Sequence, residues 1–289
     1  MACCFCGASS GPGEPLFLSL VLAALGWLVT SRYLWLFLRR EFGDRLDPSR
    51  ATVVFLGIPS VLIYRMTSLD GLIAGLMLGA TYHFLDPRGL RGVVPAWACA
   101  LTASFITFGA LWIIPVLAAT ELLSDRSLRR TALLVVMTLV FFGLLHAGSG
   151  FHYVEAYLAA SRLENPDGYW LLADPASWAT SRIGALLEIA LLFSPVLCMA
   201  VVPGARLLLS LRPRVGRLCL AALGALPAYL ATGVLPTGEG ARCCLFVVPL
   251  LFLAVAACLA QASPGRWVAA ALAVAGQSVL LQHFGFFVF

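Results

Sequence analysis

Lysine is missing altogether: all nineteen basic residues are arginines. A GC-rich genome accounts for such a bias, so no function is read from it. Charge of either sign is scarce. Only 11% of the residues are charged and 61% are hydrophobic, which leaves far too few polar groups to coat a soluble globule. A soluble domain is therefore not expected anywhere in the chain. A basic stretch before the first apolar run is also lacking, since nothing basic precedes Arg32, whereas a secretory signal peptide carries a basic n-region. No internal repeat of the kind that marks many secondary transporters is visible. Cys3, Cys4 and Cys6 have no His or second Cys pair at zinc-like spacing; no cofactor is evident, and a divalent metal is compatible with the sequence but supported by no site in it. The six other cysteines, Cys99, Cys198, Cys219, Cys243, Cys244 and Cys258, fall in apolar runs and read as small buried hydrophobes.

Long apolar runs are what the chain does have. A bilayer core of about 30 Å needs roughly 20 residues of helix at about 1.5 Å each, and runs of that order recur from end to end. Their punctuation places spans at about 16–38, 51–67, 69–85, 93–107, 108–123, 131–147, 183–203, 216–234, 243–260 and 267–286. The expected fold is all-α, a polytopic transmembrane bundle of about ten spanning helices. Residues 1–15 form a short external tail and 16–289 a single transmembrane domain with one long external loop, 148–182. The stretch 92–123 is too long for one helix, and Thr102, Ser104 and Thr107 suggest a turn between two short ones.

Arginine placement orients this bundle. One set of alternate loops collects Arg39, Arg40, Arg45, Arg50, Arg88, Arg91, Arg126, Arg129, Arg130, Arg206, Arg212, Arg214, Arg217 and Arg266; the opposite set holds Arg65, Arg162, Arg182 and Arg242. Fourteen against four puts the first set in the cytoplasm and both termini outside. Arg32 falls inside the first span and can snorkel toward its cytoplasmic end.

Three places carry residues suited to chemistry. Asp70 lies between two hairpinned spans, near Arg65, and is either a polar spot for a head group or the N-cap of the following helix. Glu239 and Arg242 precede the span at Cys243, where a guanidinium and free helix amides suit a phosphate, although a capped helix beside an interfacial arginine fits equally well. His152, Tyr153, Glu155 and Glu164, in the long loop, combine carboxylates with aromatics, as a sugar site or a general base would. The bland alternative is an interfacial helix anchored by its aromatics, followed by a turn at Asn165-Pro166-Asp167-Gly168. Glu188 lies within a span, with Arg182 as its expected neighbour.

Two segments carry a family resemblance. Leu34-Trp35-Leu36-Phe37-Leu38-Arg39-Arg40-Glu41-Phe42-Gly43 is followed by a helix ending Gly57-Ile58-Pro59-Ser60-Val61-Leu62-Ile63-Tyr64 and then by Ser68-Leu69-Asp70. Thr237-Gly238-Glu239-Gly240-Ala241-Arg242 precedes Leu245-Phe246-Val247-Val248-Pro249. Together they resemble the polytopic GT-C-type glycosyltransferases of bacterial membranes. The resemblance implies a multi-pass protein of the inner (plasma) membrane that uses a polyprenyl-phosphate sugar donor and transfers the sugar on the extracytoplasmic face. It implies Asp70, Glu239 and Arg242 as donor contacts, with His152 and Glu155 in an acceptor or lid region. Members of that family carry their catalytic acid in a large external loop after the first helix. No such loop lies near this chain's start, which corresponds to a later helix of the pattern, so no catalytic residue is assigned here. The expected partners are membrane lipids, the lipid-linked donor and other membrane enzyme subunits, with no nucleic acid. Two other readings are a transporter or flippase for a lipid-linked or small substrate, and a non-catalytic assembly subunit.

Overall fold

The computed structural model describes residues 14–64, 69–87, 89–164, 171, 174–231 and 240–284. These residues are almost wholly helical and contain no strand. The helices are α1 (Glu14–Phe42), α2 (Pro48–Leu56), α3 (Pro59–Ile63), α4 (Asp70–Phe84), α5 (Val93–Ile106), α6 (Ile113–Asp125), α7 (Arg129–Ser149), α8 (Tyr153–Glu164), α9 (Pro175–Phe193), α10 (Pro195–Leu211), α11 (Pro213–Ala231), α12 (Gly240–Cys243), α13 (Val248–Ala260) and α14 (Pro264–Phe284). Among the described residues six helical stretches are long and apolar enough to cross a membrane: Leu20–Arg45, Gly89–Ile106, Phe108–Asp125, Arg129–Ser149, Pro175–Phe193 and Pro213–Ala231. Pro195–Leu211 and Leu245–Ala260 are shorter apolar helices.

α13 forms the centre. Its sequence is apolar on every side, and every residue from Val248 to Ala257 is buried, as expected of a helix enclosed by others. α10 packs along it so closely that a Cβ on Gly204 would run into the Ala254 carbonyl. On the periphery the relation inverts: Leu139, Leu144, Leu163, Leu187 and Leu272 point outward, each more than 60% exposed, as lipid-facing positions do.

α1 and α4 run side by side in the same direction. Gly71, Gly75 and Gly79 recur every fourth residue on α4 and remove the side chains that would hold α1 away. A Cβ on Gly75 would lie 2.7 Å from Thr30 Oγ1, and one on Gly79 2.7 Å from the Tyr33 ring. In the space so released, Thr30 Oγ1 donates to Gly71 O at 2.6 Å.

Two expected spans are interrupted. The 51–67 stretch divides at Gly57 and Ile58 because Pro59 excludes the helical conformation from the residue before it, and Ile58 is extended with ψ 132°. The 183–203 stretch divides at Ser194, which precedes Pro195 and takes φ 92°. It is therefore two helices rather than one span, and α9 begins at Pro175, inside the expected loop 148–182. Polar side chains of α14 meet carbonyls at both breaks: Ser278 Oγ donates to Gly57 O at 2.7 Å, and Gln277 Nε2 to Leu191 O at 2.6 Å. The expected division of 92–123 is present, with Thr107 between α5 and a 3-10 turn, Phe108–Trp112, that leads into α6.

Arginines gather where α1, α4, α6 and α10 end and α7 and α11 begin. Arg40 lies over the rings of Phe37 and Tyr82 and donates to Tyr82 O at 2.8 Å. Arg130 Nη1 donates to Phe84 O, Arg212 Nε to Glu41 O, and Arg214 meets both Asp125 oxygens at 2.7 and 2.9 Å. Buried Glu121 caps α7 from the neighbouring helix, accepting from Arg130 N, Thr131 N and Thr131 Oγ1.

Candidate functional site opposite the arginines

At the other end of α4 the pattern changes. Asp70 is the first residue of α4, not its cap: the N-cap is Leu69, which offers no side-chain bond to the helix. The Asp70 carboxylate instead accepts from Arg242 Nε at 3.1 Å, across 172 residues of chain. Arg242 sits on α12, a single turn just before the central helix. Its side chain remains 44% exposed and that of Asp70 20%, so the guanidinium has an open side.

Two more groups converge here. Tyr64 closes α3 and is buried, with Glu188, Arg242 and Asp70 all near enough to its hydroxyl to act on it electrostatically. Glu188 comes from α9, which packs on α12 and α3, and its charge also reaches Cys244. Arg182, its expected neighbour, donates to Ser181 Oγ at 3.2 Å. The two side chains lie about 120° apart around the axis of α9.

The constellation therefore holds two carboxylates, a guanidinium and a phenol at one edge of the bundle. A guanidinium matches a phosphate, and acceptor-only carboxylates match sugar hydroxyls. Of the expected site residues, Asp70 and Arg242 are brought together, while Glu239 lies outside the described residues. The Asn165–Gly168 turn also lies outside them.

His152 and Glu155 occupy a different place. His152 immediately precedes α8, and its ring meets that of His146, at the end of α7, edge-on with centroids 4.9 Å apart. Both His152 and Glu155 are exposed. Tyr153 anchors this helix against the bundle: its ring lies 4.1 Å from Phe142 and 5.0 Å from Phe108, and its hydroxyl donates to Ser104 O. Burial pushes the Tyr153 hydroxyl up to about 12, so it is a hydrogen-bond donor near neutrality and not a base. Tyr153 is thus an aromatic anchor of α8, as in the interfacial-helix alternative, and Glu155 lies exposed on the same helix.

Between the two places runs a series of aromatic contacts. Trp112 lies 5.0 Å from Tyr229, and Tyr229 lies 6.0 Å from Phe246, four residues after Arg242. The sequence singles out Asp70 and Arg242 without joining them, and it does not bring Tyr64 to Glu188. The charge of Glu188 inside an apolar run was the available signal. Among the described residues no group of three or more His, Cys, Asp or Glu is arranged to hold a metal ion. No family model matches the chain, and neither a curated protein nor a solved structure matches it.

Proposed function

We propose that the chain is a GT-C-like multi-pass protein of the plasma (inner) membrane that transfers, or helps to transfer, a sugar from a polyprenyl-phosphate donor. Both termini and the Asp70–Arg242 site face the extracytoplasmic side in this reading, because the arginine-rich end stays in the cytoplasm. The observation that carries it is the Asp70–Arg242 pair, which joins the two segments that resemble that family. Arg242 takes the donor phosphate on its open side. Asp70 holds the guanidinium in place and, with Glu188, accepts hydrogen bonds from the sugar. Glu239 stands three residues before Arg242 and belongs to the same donor contacts. His152 and Glu155 face the acceptor.

The test is sugar transfer from a radiolabelled polyprenyl-phosphate donor in membranes holding the complete native system. Replacing Arg242 with Gln lowers transfer at least about tenfold, as expected from loss of a charge-assisted phosphate contact. Replacing Asp70 with Asn lowers it less. Transfer unchanged in the Arg242→Gln membranes, with the protein present at its usual level, rules the assignment out.

A transporter or flippase is the second reading, and the α2/α3 break supports it, since interrupted helices line substrate paths in many transporters. Ser278 meets the Gly57 carbonyl at that break, which is a closed arrangement instead of an open path. Lipid scrambling by the pure protein in liposomes would favour this reading over the first.

A further inference from the structure

One stripe of α1 breaks the rule that an ionisable side chain in an apolar span faces the protein interior or finds a partner. Leu25, Leu28, Arg32, Trp35 and Arg39 alternate at three- and four-residue spacing and so share one face of the helix. Leu25 is 48% exposed and Leu28 66%, which marks the face as outward, and Arg32 and Arg39 are both exposed on it. Arg32 is no terminal residue. Thr30, two positions earlier, packs against Gly75, and Tyr33 packs against Gly79, so Arg32 sits level with the middle third of α4.

Neither arginine makes an ion pair or a hydrogen bond among the described residues. What they share is Trp35: the Arg32 guanidinium lies 5.4 Å from its ring centroid and that of Arg39 5.1 Å. Arg32 thus reaches one turn along the helix toward the arginine-rich end, and two cations converge on one indole. The arrangement concentrates positive charge on an outward and otherwise apolar face of a helix long enough to cross a membrane, and the polarised ring offsets only part of it. The missing counter-charge must come from the lipid.

We infer that Arg32, Trp35 and Arg39 form a site for the phosphate of an anionic phospholipid in the leaflet at the arginine-rich end. The guanidiniums of Arg32 and Arg39 bracket the phosphate, and Trp35 packs along the upper acyl chain, as interfacial tryptophans do. The site lies on the outer surface of α1 and owes nothing to the Asp70–Arg242 cluster.

The experiment is a lipid titration of the full chain in detergent, followed by native mass spectrometry. The probes are phosphatidylglycerol, phosphatidylcholine and glycerol 3-phosphate. The wild type retains phosphatidylglycerol saturably and binds neither of the other two comparably. The R32Q/R39Q double variant weakens retention roughly twenty-five-fold, about fivefold for each arginine. R32K/R39K, which keeps both charges and loses the planar stacking, falls between. Should the double variant fail to fold, R39Q alone, in the last turn of the helix, loses about fivefold. Equal retention of phosphatidylglycerol by folded R32Q/R39Q or R39Q overturns the site. So does equal binding of phosphatidylcholine, and saturation by glycerol 3-phosphate alone would make this a free-phosphate site.

Discussion

The two ends of this bundle use the same side chains differently. At the arginine-rich end, beside the Arg214–Asp125 and Arg40–Glu41 ion pairs, charged groups also close backbone: Arg40 holds the Tyr82 carbonyl, Arg130 that of Phe84, and Glu121 the first amides of α7. At the opposite end Arg242 and Asp70 hold each other, and Arg242 is nearly half exposed. A charge that closes a helix end is structural because removing it strands buried donors or acceptors. A charge pair that stays partly exposed at the surface contributes little to stability.

The largest expected effect tests the structural end. Replacing Glu121 with Ala leaves two amides and a hydroxyl without their acceptor and lowers stability by about 3 kcal/mol, read as a fall in the thermal transition in detergent. Next comes the seam between the ends. A Gly75→Val substitution forces a branched side chain against Thr30 and costs about 2 kcal/mol in the same measurement. The opposite end should hardly respond. Asp70→Asn and Arg242→Gln each change stability by less than about 1 kcal/mol while sugar transfer falls. A stability loss there as large as that of Glu121→Ala would erase the distinction.

The smallest effect is a pH dependence at the start of α9. Asp174 accepts from Ser177, which holds its carboxyl below the usual aspartate value. A lowered pKa in the folded state adds stability that is present at neutral pH and disappears as pH falls through the folded value. Protection of the first-turn amides of α9 against hydrogen exchange should therefore fall slightly on acidification, and Asp174→Asn should remove the dependence.

Much of this architecture is legible in the sequence. Apolar runs locate α4, α5, α7, α11 and α14 to within a few residues, because each is bounded by Gly, Pro or charge. The breaks at Gly57 and Ser194 are harder: hydrophobicity continues across both, and only the following proline signals them. Reading Ser194-Pro195 as an interruption would have separated α9 from α10. The parallel seam was also missed, although glycines at 71, 75 and 79 advertise close helix contact. The Asp70–Arg242 contact joins residues 172 positions apart, and local spacing carries no information about such a pair. Each residue stood out for its neighbours; only packing of α4 against the segment before α13 shows that they meet.

The glycine seam has a mechanical consequence. α4 bears Asp70 on its first residue and, in its last turn, the Tyr82 carbonyl that Arg40 of α1 grips. Between those points the two backbones are in near contact, so neither helix can slide past the other without collision at Thr30 or Tyr33. They form one stiff rod reaching from the Asp70 edge to the arginine belt. Asp70 at one end and the Arg40–Tyr82 contact at the other are therefore held at a fixed spacing.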